Sequence, residues 1–294
     1  MKRITIATLV ALTLAGGLAT TAEARLVLGN ANANRLFGTR TNDFIFAKQG
    51  ADRVFAREGN DRIDAGDGND YVLAGAGRDF VTGRTGNDNL FGGAGNDIVQ
   101  DFSGISNLYG NAGDDRLRLI GAGQLNGGTG RDLLQGAGTT DNLRGGPDAD
   151  LLAASFGNDV AVGGAGDDIV KGEPGNDTLF GNQGVDTIVG DSGNDRIYAT
   201  TRRDVIAQGE AGGDTIDAGT GNDTIYTRDG EVDRIFCGTG TDRLTADQYD
   251  VIVDATTANR RGSCNVVSRS SARGGSIERT EDAAEFSFED SRPA

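Results

Sequence analysis

The chain has no histidine and no tryptophan, and only 3 prolines, 2 cysteines and 1 methionine among its 294 residues. Each shortage removes a class of function. Without histidine there is no Ser-His-Asp triad, no His-ligated zinc and no zinc-protease helix. Three prolines cannot build a collagen-like or proline-rich rod. No GxSxG nucleophile elbow occurs. Glutamate is also scarce: of 44 acidic residues, 35 are Asp and 9 are Glu. Asp favours turns and Glu favours helix surfaces, so the skew points to loops. A net charge of −16 argues against unaided nucleic-acid binding and makes cations the natural partners.

The N-terminus predicts export. Lys2 and Arg3 precede an apolar run from Ile4 to Leu18, and Ala22-Glu23-Ala24 follows. Charge, apolar core and small-residue site in that order read as a secretory signal at 1–24, cleaved after Ala24. The alternative, a membrane anchor, is disfavoured because the run is short and holds Gly16 and Gly17. No later segment is long and apolar enough to form a transmembrane helix, so the mature chain is expected to be soluble and secreted. Cys237 and Cys264 suit that compartment and are expected to form one structural disulfide, two free buried thiols being the alternative. Closing a loop of that length stabilises by roughly 3–4 kcal/mol on the chain-entropy argument.

What the chain has in excess is glycine, 48 residues, and a period of nine. Asp falls at 43, 52, 61, 70, 79, 88 and 97, gives way to Ser106, and returns at 115. A second run occupies 132, 141, 150, 159, 168, 177, 186, 195 and 204, before the spacing loosens to Asp214, Asp223, Asp233, Asp242 and Asp250. The step from Asp115 to Asp132 is one short of two periods, which places a lost residue near Gly121-Ala122-Gly123. Two residues after these 23 positions stands Ile, Leu or Val in 22 cases, Ala161 being the exception; two residues before stands Gly in 17. Clean copies read Gly92-Gly93-Ala94-Gly95-Asn96-Asp97-Ile98-Val99 and Gly163-Gly164-Ala165-Gly166-Asp167-Asp168-Ile169-Val170.

Nine residues divide into about six that turn and three that extend. Gly at the first and fourth positions permits positive φ and close backbone approach. The aliphatic residue between two others points one way, as in a strand. One such side chain per repeat makes no core alone, but facing repeats stacked many deep do. The pattern predicts an all-β parallel solenoid with about 18 residues per coil and 11 or 12 coils.

This unit resembles the calcium-binding nonapeptide of RTX (haemolysin-type) proteins, G-G-x-G-x-D-x-U-x, over about residues 37–253. The resemblance implies a parallel β-roll that holds multiple calcium ions in its turns, each ion between adjacent coils. Asp70 would then share an ion with Asp88, Asp79 with Asp97, Asp168 with Asp186, and Asp177 with Asp195. Turn carbonyls would complete the ligands. The expected metal residues are Asp61, Asp70, Asp79, Asp88, Asp97, Asp115, Asp132, Asp159, Asp168, Asp177, Asp186, Asp195, Asp223 and Asp242.

The residues support the same cation independently. Calcium takes about six to eight oxygen ligands, which carboxylates and carbonyls supply, whereas magnesium demands a tighter octahedron and keeps its water. Stacked carboxylates repel by ~1 kcal/mol per pair at 4 Å even in water, so calcium is expected to be needed for folding. Weak or vacant turns are expected at Ser106, at Asp43, Asp141 and Asp204, where Thr41, Thr139 and Arg202 replace Gly, and at Asp150, which follows Pro147-Asp148. The arginines beside the column (Arg53, Arg62, Arg116, Arg196, Arg234, Arg243) are expected to relieve surface charge.

Residues 25–36 lack a full repeat and are expected to cap the first coil. Residues 254–267 are expected to form a cap tied by Cys264, and 268–294 a disordered tail. The cleavable leader departs from RTX toxins and proteases, which resemble each other in C-terminal export signals and separate catalytic or pore-forming domains. The expectation is therefore a monomeric, non-enzymatic extracellular calcium-binding protein, structural at the cell envelope. The alternative is a carbohydrate-active or adhesive solenoid acting on envelope or extracellular polysaccharide.

Overall fold

The computed structural model describes residues 24–201, 204–207, 213–218, 220–227, 232–253, 264 and 266–270. The expected leader up to residue 23, the cap at 254–263 and the tail beyond Ser270 lie outside them. Every named strand pairing is parallel, and successive strands alternate between two sheets, apart from the short strands Thr220–Gly221 and Thr239–Gly240, which lie in the same sheet as the strand before each. The first sheet has 14 strands and the second 15, all stacked in one direction. Partners in each sheet are 18 residues apart at first, as in Ile45↔Ile63 and Val54↔Val72, so two nonapeptides make one coil. Among the described residues there is no helix long and apolar enough to cross a membrane.

The core is a double file. One sheet contributes Ile45, Ile63, Val81, Val99, Leu117 and Leu134; the other contributes Val54, Val72, Leu90, Leu108, Leu125 and Leu143, all fully buried. The small residue two places on also faces inward, as Ala47, Ala56, Ala65 and Ala74 do. Strand periodicity explains this: inward positions alternate with outward ones, and the coil is too narrow for a second large layer. Ala161, the one break in the aliphatic column, sits in the same file and is fully buried.

The turn glycines have two separate tasks. Gly93 and Gly95 have φ of +118° and +120°, and a Cβ on either would collide with a carbonyl of the coil below, that of Gly75 or Gly77. Gly92 does not have positive φ; a Cβ there would lie 2.5 Å from the Asp97 carboxylate. The first glycine of the pair is thus selected by the acidic side chain, the second and the fourth by backbone conformation. Lys48, Arg57 and Arg84 occupy the second position with φ of 82–92°, a region that L-residues enter only at a cost.

The lost residue falls in the turn after Leu119. Asn107 pairs with Gln124, a step of 17, while Leu119 still pairs with Asp101, a step of 18. Gly123 consequently takes the column position opposite Ser106. Leu119 fills the interior there and is 1% exposed. Later coils gain a residue instead: Thr187↔Val205 is a step of 18 but Val205↔Thr224 is 19.

Both ends extend the stack further than the repeat suggests. Arg25–Leu28 and Arg35–Phe37 pair with the strands that follow them, and Val27 and Leu36 join the core files. Residues 25–36 are therefore a coil without the Asp column. Val266–Ser270 pairs with Arg243–Asp247 as the last strand of the first sheet, so ordered structure continues through Ser270 rather than stopping at the expected boundary of 268. Those two end strands raise the first sheet from the expected 11 or 12 rungs to 14. Cys237 and Cys264 are paired as a disulfide with Cα atoms 5.3 Å apart, and both are fully buried.

With a core one side chain thick, truncation should leave a hole the coil cannot close. Leu143→Ala is expected to cost about 2–5 kcal/mol in urea unfolding in calcium. A cost under about 1 kcal/mol would show that the file is not the core.

Candidate metal centre

Each column Asp stands at the corner where a turn becomes a strand. Its carbonyl is already part of the ladder: Asp52 accepts the amide of Tyr71, and Asp61 that of Phe80. Its own amide points into the corner, where no strand partner is available. The carboxylate one coil further on supplies the acceptor. The Asp70 amide donates to Asp88 Oδ1 at 2.8 Å, Asp79 to Asp97 at 2.7 Å, Asp168 to Asp186 at 2.9 Å and Asp177 to Asp195 at 2.8 Å. The pairs expected to share ions are thus stacked directly on one another.

The carboxylates are interior groups, not solvated bend formers. All fourteen expected metal residues are at most 3% exposed. In thirteen of them (Asp61, Asp70, Asp79, Asp88, Asp97, Asp115, Asp132, Asp159, Asp168, Asp177, Asp186, Asp195 and Asp223) Oδ2 is buried and makes no hydrogen bond. Asp242 lies in the same column, accepting the Asp223 amide at 3.0 Å. A buried charged oxygen without a partner is expensive, and it recurs here with the period of the chain.

The donor set fits a hard cation. One carboxylate oxygen per corner is aimed inward, nitrogen and thiolate ligands are absent from the column, and the turns around it are dense in carbonyls. Among the described residues no group of three or more acidic, cysteine or histidine side chains gathers at one point. An ion would therefore be held by one or two Asp carboxylates, with turn carbonyls as the remaining protein ligands.

The irregular turns sort themselves by what the second oxygen does. In Asp43 it accepts the Thr39 amide at 2.5 Å and the Thr39 hydroxyl at 3.1 Å; in Asp141 it accepts the Ala137 amide at 2.7 Å. Those carboxylates are satisfied within their own turns. Asp150 and Asp204, also expected to be weak, instead carry the same partnerless Oδ2 as the regular copies, as does Asp52. The arginines beside the column stay exposed on the outside. Among the described residues the ion pairs Arg40–Glu58 and Arg84–Asp64 lie away from the column, and Arg62 packs over the Phe80 ring at 5.4 Å.

A second ladder was not anticipated from the repeat. The residue before the column Asp is Asn at 42, 60, 69, 87, 96, 158, 176, 194 and 222. Its Oδ1 accepts the amide of the equivalent residue one coil later: Asn60 to Asn42 at 2.9 Å, Asn87 to Asn69 at 2.9 Å, Asn194 to Asn176 at 2.8 Å. The Asn bonds point up the stack and the Asp bonds point down it. The Asn-Asp dipeptide is the signal that reveals it.

Burial drives the titration. Desolvation pushes the carboxyls of Asp61, Asp70, Asp79, Asp88, Asp159, Asp168 and Asp204 up to about 7, and those of Asp115, Asp150 and Asp195 to about 8. The amide bond to each Oδ1 only partly opposes this, and for Asp115, Asp150 and Asp195 neighbouring column carboxylates raise the value further.

These shifts set a sign. A native carboxyl with a raised pKa keeps a proton that the unfolded chain loses near pH 4, so the chelated protein should be most stable near pH 4 and lose stability as pH rises to 8. Thermal melts in chelator across that range check it, and a rising trend would contradict it. Calcium must displace those protons, so titration at pH 7 should release them, giving an enthalpy that varies with the ionisation heat of the buffer. Asp168→Asn should reduce the calcium bound per chain, whereas Asp43→Asn, at a turn that satisfies itself, should leave it unchanged; equal losses in both would refute the distinction.

The profile of the RTX calcium-binding nonapeptide repeat (4 copies) matches residues 28–63, 46–81, 64–99, 102–119, 120–152, 153–188, 189–207 and 208–244. No curated protein matches the chain. Among solved structures, a hyperactive, Ca2+-dependent, beta-helical antifreeze protein from an Antarctic bacterium, seen by X-ray crystallography, is similar at 18% identity, covering 84% of this chain and 96% of that one, with a TM-score of 0.37. With the repeat matched along most of its length, the chain belongs to the RTX calcium-binding nonapeptide repeat family.

Proposed function

We propose that this chain is an extracellular calcium-binding rod that folds as ions enter its turns and serves a structural, non-enzymatic role at or near the cell envelope. The observation that carries the reading is the column of buried carboxylate oxygens without partners. Left ionised, each costs desolvation and repels its neighbours; an ion beside it removes both penalties. An ion at 100 times its dissociation constant contributes about 2.7 kcal/mol per site, so several sites match a typical domain stability of about 5–15 kcal/mol. Membership of a calcium-binding repeat family supports the choice of ion. The leader-like N-terminus and the Cys237–Cys264 pair support export, because outside the cell calcium is plentiful and thiols oxidise.

An adhesive role is the second reading, and one observation favours it. Phe37, Phe55, Tyr71, Phe91 and Tyr109 run along the outer face of the second sheet, with ring centroids 4.5–6.4 Å apart. Such a file is a contact surface available to envelope or polysaccharide. Pull-down against intact envelopes with and without calcium separates adhesion from a passive rod.

The central test is calcium itself. The full chain in excess chelator at pH 8 should show little β-structure in far-UV circular dichroism, and millimolar calcium should restore it, with several ions bound per chain by calorimetry. Identical spectra in the two conditions would overturn the proposal.

A further inference from the structure

One corner of the solenoid departs from the repeat and makes up for it locally. Ser106 stands in the column where an Asp belongs, and its hydroxyl accepts the Asp88 amide at 2.9 Å, as a column carboxylate would. The same hydroxyl donates to Asp101 Oδ2 at 2.6 Å. Asp101 occupies the inward position that is Ala or Gly in most other coils, and it is fully buried. The carboxylate missing from the column has therefore reappeared five residues earlier in the same turn.

Its other oxygen faces the coil below. Asp101 Oδ1 is buried and makes no hydrogen bond, and the same holds for Asp88 Oδ2. Both approach Gly83: a Cβ placed there would lie less than 3.0 Å from each of them. Two fully buried carboxylates, on adjacent coils, thus direct partnerless oxygens into one small space. The donors to this pair are the Asp70 amide on Asp88 Oδ1, the Ser106 hydroxyl on Asp101 Oδ2, and the backbone amides of Phe102 and Arg84 toward the Asp101 carboxylate, none of them cationic. Arg84, next in the chain to Gly83, has its guanidinium turned away onto Asp64, which it holds through Nε at 2.6 Å and a terminal nitrogen at 2.5 Å.

We propose that Asp88 and Asp101 form a two-carboxylate cation site, in which one oxygen from each of two adjacent coils holds a single divalent, oxygen-preferring ion. It rests on the calcium-binding reading of the repeats but differs in kind, because Asp101 is not a repeat Asp. Both unpaired atoms aimed at it are carboxylate oxygens, hard donors that favour calcium over softer metals. Its second carboxylate comes from outside the column, so removal of the ion leaves two buried, uncompensated carboxylates side by side.

The test uses the full chain, with Ca2+ as the probe. Asp101→Asn, near-isosteric with the native residue, should bind one calcium ion fewer per chain than wild type in calorimetric titration. In chelator at pH 8 it should melt above wild type, because a buried repulsion has gone. A full calcium complement in Asp101→Asn would overturn the site and assign the pair to a shared proton. Asp168→Asn serves as the control: if wild type and this variant both bind no calcium, the general reading fails, whereas loss in Asp168→Asn alone overturns only the present inference. Should Asp101→Asn not fold, a crystal of the wild-type protein grown in calcium decides the matter. Anomalous density bridging Asp88 Oδ2 and Asp101 Oδ1 supports the site, and its absence beside occupied regular turns refutes it.

Discussion

At each regular corner of the solenoid a carboxylate is used twice. One oxygen closes the hydrogen bond of a backbone amide in the preceding coil, and that bond requires the side chain to point inward, out of water. The other oxygen is then carried into the interior with nothing to pair with. Backbone satisfaction and buried charge cannot be separated, since both belong to one planar group. The preference for a small residue five places before the Asp, the raised carboxyl pKa values and the demand for a cation all follow from that single placement.

The rest of the coil contributes stability that needs no metal. The aliphatic files bury one side chain per strand, and the Asn ladder ties the outside of each turn to the next. These are modest terms: a typical hydrogen bond contributes about 0.5–1.5 kcal/mol net, and a buried Leu or Val about 1.5–3 kcal/mol. Set against ordering a glycine-rich chain at about 1–2 kcal/mol per residue, they leave little margin for two uncompensated carboxylates per coil. On the proposed reading, the ions that neutralise the corners supply the remaining stability.

Departures from the repeat obey the same rule, each in its own way. At Asp43 and Asp141 the turn itself donates an amide to the second oxygen, so the charge is satisfied without an ion. At Gly123 the carboxylate is gone and Leu119 occupies interior space. At Ser106 a hydroxyl takes over the backbone bond and Asp101 brings the charge in from another position.

The architecture was legible in the chain because its information is periodic. A nine-residue spacing of Asp, Gly and aliphatic residues permits few other structures, and parallel strands 18 residues apart follow from the need of each Ile, Leu or Val for a facing partner. The chain also marks which residues are chemical: Asp61 through Asp242 stand out by recurrence alone. What it could not reveal is direction. Whether Asp97 faces water or the interior, whether Thr39 reaches back to Asp43, and whether Asp101 meets Asp88 depend on which atoms of one coil lie over those of the next. Those are distances between residues far apart in sequence, set by stacking, and only the folded coil determines them.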